Sequence, residues 1–487
     1  MRRARRAGVA VFLLAAALGC VALLDEVGPH DEGLVLSAAW RVADGQLPWR
    51  DFWWNYGPGQ PVLLGAVWAI LGPSLLWWRI LRVLAGAGVA VLAWRLARRW
   101  GGDPRWAAAA GVAAGAAMAW PLTPNPNAFA LVPGLGAVLL APRRPGAAGG
   151  LAALAAWLRP ELGLACALGA AWEARGERGR DAGTLAPARL LAAAAAGTLV
   201  LFVPFVLAAP GRFAEDLSGF LAVQDLQRLP FPLTLSADPN KLLEGAFPAL
   251  LLAGAAACVV ARRAPGALLP LGAAGLLYLL GRADEFHLVP LAVVTAVAAA
   301  AAGARAHAAG SRVWPPALGA VVAVIALHGI ERQAVRALNP PALAPVPGGV
   351  GDGVRTLAAD AAALRRLVPA VRATARPVFV APPRFDRVSV GNPLLQVILR
   401  RPNPTRHDVM QPGVVTTAEV QRELRDDLAA TRPRPLVVRW LAPVARRREP
   451  NGSARSSGVT LLDDWIAARY EPWLRAGDYA VLRPRAG

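Results

Sequence analysis

The feature that most constrains this chain is a succession of apolar blocks, each close to the length of a bilayer crossing. They fall at 7–24, 59–72, 77–99, 105–120, 127–141, 147–174, 187–209, 244–262, 264–281, 286–303 and 313–330. A spanning helix needs about 20 mostly apolar residues, because the hydrocarbon core is ~30 Å thick and each helical residue rises ~1.5 Å. A soluble amphipathic helix would instead confine its apolar residues to one stripe. The pattern therefore predicts a mainly α, polytopic helical membrane protein of about 11 spans, with residues 1–330 as its transmembrane domain. Composition agrees: 55% of residues are hydrophobic and only 17% are charged, whereas soluble domains carry roughly 25%. The block 147–174 holds Arg159-Pro160-Glu161 at its middle and reads as one broken crossing.

The net charge is +20, and Lys241 is the only lysine among the 52 basic residues. Nucleic-acid binders concentrate such charge on one face, with aromatics between the basic residues. Here the arginines sit at block ends and in the tail, where 25 Arg against 14 Asp and Glu from Glu331 onward account for +11 of the total. Attraction to anionic membrane lipids explains this better, and no nucleic-acid partner is expected. Cys20, Cys166 and Cys258 all lie inside apolar blocks, so neither a disulfide framework nor a zinc site is expected.

The positive-inside rule orients the chain. Arg2, Arg3, Arg5 and Arg6 precede an uncleaved first helix, which puts the N-terminus in the cytoplasm. Arg175–Arg189, Arg262/Arg263 and Arg305/Arg312 then lie inside, while 25–60, 210–243, 282–285 and the tail lie outside. Two groups violate this count: Arg95/Arg98/Arg99 with Arg105, and Arg143/Arg144, both fall outside. Either one span is misassigned or those arginines serve phosphate groups.

Residues 212–228 alternate charged and apolar positions at helical spacing, as in a helix lying on the outer interface. From 331 to 487 the composition changes to that of a small extracytoplasmic α/β domain. Strands are expected at Val378–Ala381, Leu436–Val438 and Tyr479–Leu482, and a helix over Ala418–Ala430 capped by Thr417. The arginine-rich run 400–408 reads as surface display.

The informative charges are few. The first outer loop, 25–60, carries Asp31-Glu32, then Trp49-Arg50-Asp51-Phe52, then Tyr56-Gly57-Pro58-Gly59. A carboxylate at a membrane surface can take a proton from an acceptor hydroxyl or amine, and neighbouring carboxylates raise one another's pKa toward neutrality. Arg159 and Glu161 lie at membrane depth, where charges are costly and usually functional. Gly281-Arg282-Ala283-Asp284-Glu285-Phe286-His287 joins two spans on the outer side, with Arg282 and His287 suited to an anionic leaving group.

The first loop resembles that of the GT-C membrane glycosyltransferases, which include the protein O-mannosyltransferases, the lipid A aminoarabinose transferase and uncharacterised bacterial family 39-type members. The resemblance rests on Asp31-Glu32, Trp49-Arg50-Asp51-Phe52, Tyr56-Gly57-Pro58-Gly59, Gly72-Pro73 and Arg79/Arg82, and covers roughly residues 1–330. It implies an inverting transfer of a hexose or pentose from a polyprenyl-phosphate donor to a lipid, glycan or protein acceptor, at the outer face of the cytoplasmic membrane. Asp31 would be the catalytic base, with Glu32 and Asp51 in support. Arg282, Asp284, His287, Arg159, Glu161 and Tyr56 would serve the donor phosphate and substrate. The first-loop acids are also a set that a divalent cation would suit. The competing readings are a transporter or flippase, which calls for paired broken helices in two related halves, and a polysaccharide ligase of the envelope.

Overall fold

The computed structural model describes residues 2–120, 126–175, 185–231, 239–261 and 263–486; Arg178, Arg180 and Arg262, used above to orient the chain, lie outside them. The protein is mainly helical. In chain order the helices are α1 (Arg2–Cys20), α2 (Asp31–Ala43), α3 (Gly59–Leu71), α4 (Leu75–Gly101), α5 (Pro104–Ala119), α6 (Asn127–Leu140), α7 (Pro145–Leu158) and α8 (Pro160–Arg175). They continue with α9 (Leu185–Ala208), α10 (Pro210–Ala222), α11 (Gln224–Gln227), α12 (Pro239–Val260), α13 (Leu269–Gly281), α14 (Glu285–Ala308) and α15 (Trp314–Leu338). Among the described residues, four of these, α4, α9, α14 and α15, are long and apolar enough to cross a membrane.

Two compact units divide the chain. The first comprises 1–23, 79–204 and 231–340; the second comprises 24–78, 205–230 and 341–487.

The first unit is a helical bundle with a small-residue interior. α14 forms its centre, buried almost along its whole length by alanine and valine. Glycines permit the closest approaches. A Cβ at Gly329 of α15 would lie 2.3 Å from the Ala116 carbonyl of α5, and one at Gly169 of α8 would lie 2.3 Å from the Ala267 carbonyl. Without an inward hydrophobic drive in lipid, such backbone-to-backbone packing is what holds helices together.

One expectation is corrected here. The 147–174 block is a helical hairpin, not one broken crossing. Its turn is at Arg159, whose extended backbone (φ −150°, ψ 98°) ends α7, and Pro160 starts α8. Beyond the turn the chain doubles back: Gly163 sits against Ala156, and both Ala155 and Cys166 reach Gly134 of α6. Proline has no N–H to offer a continuing helix but suits the first turn of a new one.

In the second unit, the segment 25–60 is also more ordered than a loop, because Asp31–Ala43 forms α2. α3 packs against α2 rather than standing apart: a Cβ at Gly65 would meet Val42 at 2.8 Å and the Ala39 carbonyl at 3.0 Å. The tail supplies β1 (Leu343–Pro345), β2 (Arg355–Leu357), α16 (Ala358–Arg372), β3 (Val378–Ala381), α17 (Leu394–Leu399) and α18 (Ala418–Ala430). After these come β4 (Leu436–Trp440), α19 (Pro443–Arg446), α20 (Leu461–Arg469), β5 (Tyr470–Ala476) and β6 (Tyr479–Pro484). The larger sheet runs β3-β4-β6-β5, with β3 and β4 parallel and the other pairs antiparallel. Phe379, Phe385, Leu424, Leu428, Val437 and Ile466 are among the residues that form its core. The three strands and the helix expected in the tail are present, and the Thr417 hydroxyl accepts the Val420 N–H at 3.3 Å as its cap.

Candidate functional site

The expected residues form one group in each unit. In the second unit, Asp31 and Glu32 open α2 as consecutive residues, so about 100° of helix rotation separates their side chains. Asp31 is exposed. Glu32 is fully buried (0%) and its Oε2 accepts the Gly28 N–H at 3.1 Å, which ties the approach to the helix. Gly33 follows because nothing larger fits: a Cβ there would lie 2.5 Å from the Leu394 nitrogen of α17. The carboxylate that faces outward is thus held on a helix end whose other side is locked into the tail.

Asp51 has a different task. Its Oδ2 accepts the Leu47 N–H at 2.7 Å, and Arg50 Nη2 pairs with it at 2.7 Å. Burial pushes its pKa up, but the bond from Arg50, the Leu47 N–H and the charges of Arg50 and Arg41 outweigh it and hold the carboxyl below its usual value. That makes Asp51 a weak base and a staple for the 47–51 turn. Tyr56 stands edge-on to Trp54 at 5.7 Å and to Phe220 at 6.4 Å.

Around this loop runs a charged network that the linear pattern does not reveal. Arg41 of α2 pairs with Asp408 at 2.6 Å, and Arg406 pairs with Asp216 of α10 at 2.9 Å. Arg212 meets Glu423 at 3.3 Å, and His407 lies 3.5 Å from the same carboxylate. The run 400–408 is therefore not surface display: His407 is 1% exposed and Arg406 donates to the Trp49 carbonyl at 3.2 Å. Burial pushes Asp216 up to about 6, against the pull of Arg406, the Trp54 N–H and Arg212. The same cause, aided by Glu423, pushes Asp427 up to about 6.

In the first unit the structure joins two motifs that are over 120 residues apart in sequence. Arg159, at the hairpin turn, donates to Asn127 Oδ1 at 3.3 Å and lies 3.7 Å from Glu161. Its guanidinium also sits over the Tyr278 ring at 5.8 Å, while the Tyr278 hydroxyl donates to Glu161 Oε1. Four residues after Tyr278, Arg282 pairs with Asp284 at 2.8 Å. Asp284 caps α14 by accepting the Phe286 and His287 N–H groups, each at 3.1 Å, and its Oδ1 lies 2.5 Å from His287 Nδ1. Burial raises the Asp284 pKa, but His287, Arg282 and the His287 N–H more than reverse this and keep it ionised. An ionised partner fixes the proton on Nδ1, so Nε2 is the ring nitrogen left to act on a ligand. Asn127 closes the cluster by donating to the Phe286 carbonyl at 3.2 Å.

No protein-family model and no curated protein matches this chain.

The first-loop acids do not suit a divalent ion, because Asp31 and Glu32 diverge and Glu32 is spent on the Gly28 N–H. Among the described residues, no group of three or more His, Cys, Asp or Glu comes together as a metal site. Two members of the first-unit cluster, Asn127 and Tyr278, were not singled out by sequence. Their signal is weak but real: Asn127 opens a helix, and Tyr278 is one of only four tyrosines, near the end of an otherwise apolar helix.

Proposed function

We propose that this protein is a membrane glycosyltransferase that moves a sugar from a polyprenyl-phosphate donor to an envelope acceptor, with Asp31 as the base. The observation that carries this reading is the first-unit cluster. Two guanidiniums and an oriented histidine meet at the α7–α8 turn, the start of α6 and the α13–α14 junction. Arg159 and Arg282 are balanced there by Glu161 and Asp284, so the site is nearly neutral when empty. A lipid phosphate would displace a carboxylate from a guanidinium and gain two-pronged bonds. The departing phosphate needs cations more than a proton, and His287 Nε2 adds a third donor when protonated. The acceptor needs a base, which Asp31 supplies from its exposed position at the N-terminus of α2.

The hairpin supports an eleven-crossing topology of revised composition: α1, α4–α9 and α12–α15 cross, while α3 stays outside. With α7 and α8 counted separately, Arg95, Arg98, Arg99, Arg105, Arg143 and Arg144 move to the cytoplasmic side, and both violations of the positive-inside rule vanish. On this reading 24–74, 209–231 and the tail face outward, as do the short connections at Arg159 and 282–284. α6, α7 and α8 have only 14–16 residues, or about 21–24 Å. Local thinning and arginines reaching from the helix ends accommodate that length.

The test is transfer from radiolabelled polyprenyl-phosphate sugar to membrane glycan and lipid acceptors, by protein in nanodiscs. Parent activity that is lost in Asp31→Asn supports the assignment; equal transfer by both would sink it. For topology, a cysteine replacing Arg143 should label only from the cytoplasm, and one replacing Gln46 only from outside.

A further inference from the structure

In the tail, β3 and β4 are parallel neighbours, and their carboxyl ends lie side by side at Ala381 and Trp440. The space beyond the carboxyl ends of parallel strands is where α/β sheets bind ligands, because the departing chains splay apart there. Here the departing chains are 382–389 and 441–447, and they enclose a cleft of about 240 Å³. Arg384, Arg387, Arg446 and Arg447 line it, with Ser389 and Ser453 between them and Leu441 and Ala445 as an apolar side.

The charge in this cleft is only partly answered by the protein. Arg384 is held by Asp386, with bonds of 2.7 and 2.6 Å. Arg387, Arg446 and Arg447 have no ion pair among the described residues. The nearby acids are already engaged: Asp386 also accepts from the Ser456 hydroxyl, Asp463 pairs with Arg439 at 2.8 Å and accepts the Phe385 N–H at 2.8 Å, and Glu449 accepts from the Asn451 amide at 2.8 Å. The bonds of Asp386 and Asp463 fix the loop that carries Arg384 and Arg387. A second wall is fixed by Asn451, whose Oδ1 accepts from the Ser453 N–H at 3.0 Å and from its hydroxyl at 2.6 Å. Three guanidiniums without a carboxylate partner among the described residues thus line one cleft, which favours an anion there. Guanidinium forks match phosphate and carboxylate oxygens, and the hydroxyl and apolar sides suit a sugar ring.

We propose that this cleft binds an anionic sugar of monosaccharide size, carrying a phosphate or a carboxylate. The proposal does not rest on the transferase reading, since it concerns binding in the tail and needs no turnover.

The test is calorimetric titration of the full-length protein in zwitterionic phosphatidylcholine nanodiscs, where no anionic lipid competes. The probes are glucose 6-phosphate, glucuronate, glucose and inorganic phosphate. Saturable binding of at least one anionic sugar is expected, with glucose silent and inorganic phosphate weaker. Arg387→Gln and Arg447→Gln should each weaken it by about tenfold, the loss of one charge-assisted bond. Unchanged hydrogen exchange of the β3 and β4 peptides verifies that the variants remain folded. Three outcomes overturn the proposal: no saturable binding of either anionic sugar, equal affinity for inorganic phosphate and the sugar anions, or affinity unchanged in both Arg387→Gln and Arg447→Gln.

Discussion

Arg406→Ala tests whether the charged network really holds the second unit together. Arg406 Nη2 lies 2.9 Å from Asp216 Oδ2, and the two side chains are 11% and 2% exposed. Removing the guanidinium leaves a buried carboxylate with the Trp54 N–H, 3.3 Å away, as its remaining neutral donor. Breaking a buried pair from one side costs about 3–5 kcal/mol. Local opening should therefore become about 10²- to 10⁴-fold more frequent. Hydrogen exchange of peptides covering 45–57, 210–222 and 400–413 reads this directly. The contrast is the double variant Arg406→Ala/Asp216→Asn, which removes both charges and keeps an amide acceptor for the Trp54 N–H, so it should recover most of the lost protection.

The pH dependence has a definite sign. Asp216 rises from 3.8 to about 6 in the folded protein, so the folded state holds its proton more tightly. Its contribution, about 3 kcal/mol, is complete below the unfolded pKa and is lost as pH rises through about 6. Arg406→Ala raises that pKa further, so the variant should regain protection at pH 5 relative to pH 7.5, after correction for intrinsic exchange. Less than a tenfold change in all three peptides, or no recovery in the double variant, would refute the reasoning.

Three further outcomes are expected. Gly33→Ala forces a Cβ to within 2.5 Å of the Leu394 backbone, which overpacking places at roughly 1–3 kcal/mol; thermal unfolding and exchange at 394–399 would register it. Glu161→Gln removes the carboxylate that competes for Arg159, so the donor KM should fall several-fold with kcat little changed, and a raised KM would contradict the phosphate role. Thr417→Ala deletes the cap of α18 and should cost about 1 kcal/mol, read as faster exchange confined to the first turn of that helix.

Apolar blocks were legible because helices in lipid must satisfy their own backbone and expose apolar side chains all round. Tail strands were legible for a related reason: Val378–Ala381 is buried on both faces and so reads as a continuous apolar run. The hairpin at Arg159 was harder to see, since a helix that kinks at Pro160 and one that reverses there have the same local sequence. What distinguishes them is the small-residue match of Gly163 with Ala156 and of Gly134 with Cys166, a property of paired surfaces. Arg406 and His407 were misread because a basic run looks solvated until its acidic partners, Asp216 and Glu423, are brought in from elsewhere in the chain.

The sequence by itself determined that the chain is mainly helical, with helices long and apolar enough to cross a membrane, because apolar content and block length are local quantities. It also singled out Asp31, Arg159 and Arg282 as charges suited to chemistry. Only the tertiary structure decided which of them meet. Asn127, Arg159, Tyr278, Asp284 and His287 form one cluster because the α7–α8 reversal and the α13–α14 junction lie together. Such meetings depend on how helices pack, and packing is set by shape complementarity between distant segments, which no local window of sequence records.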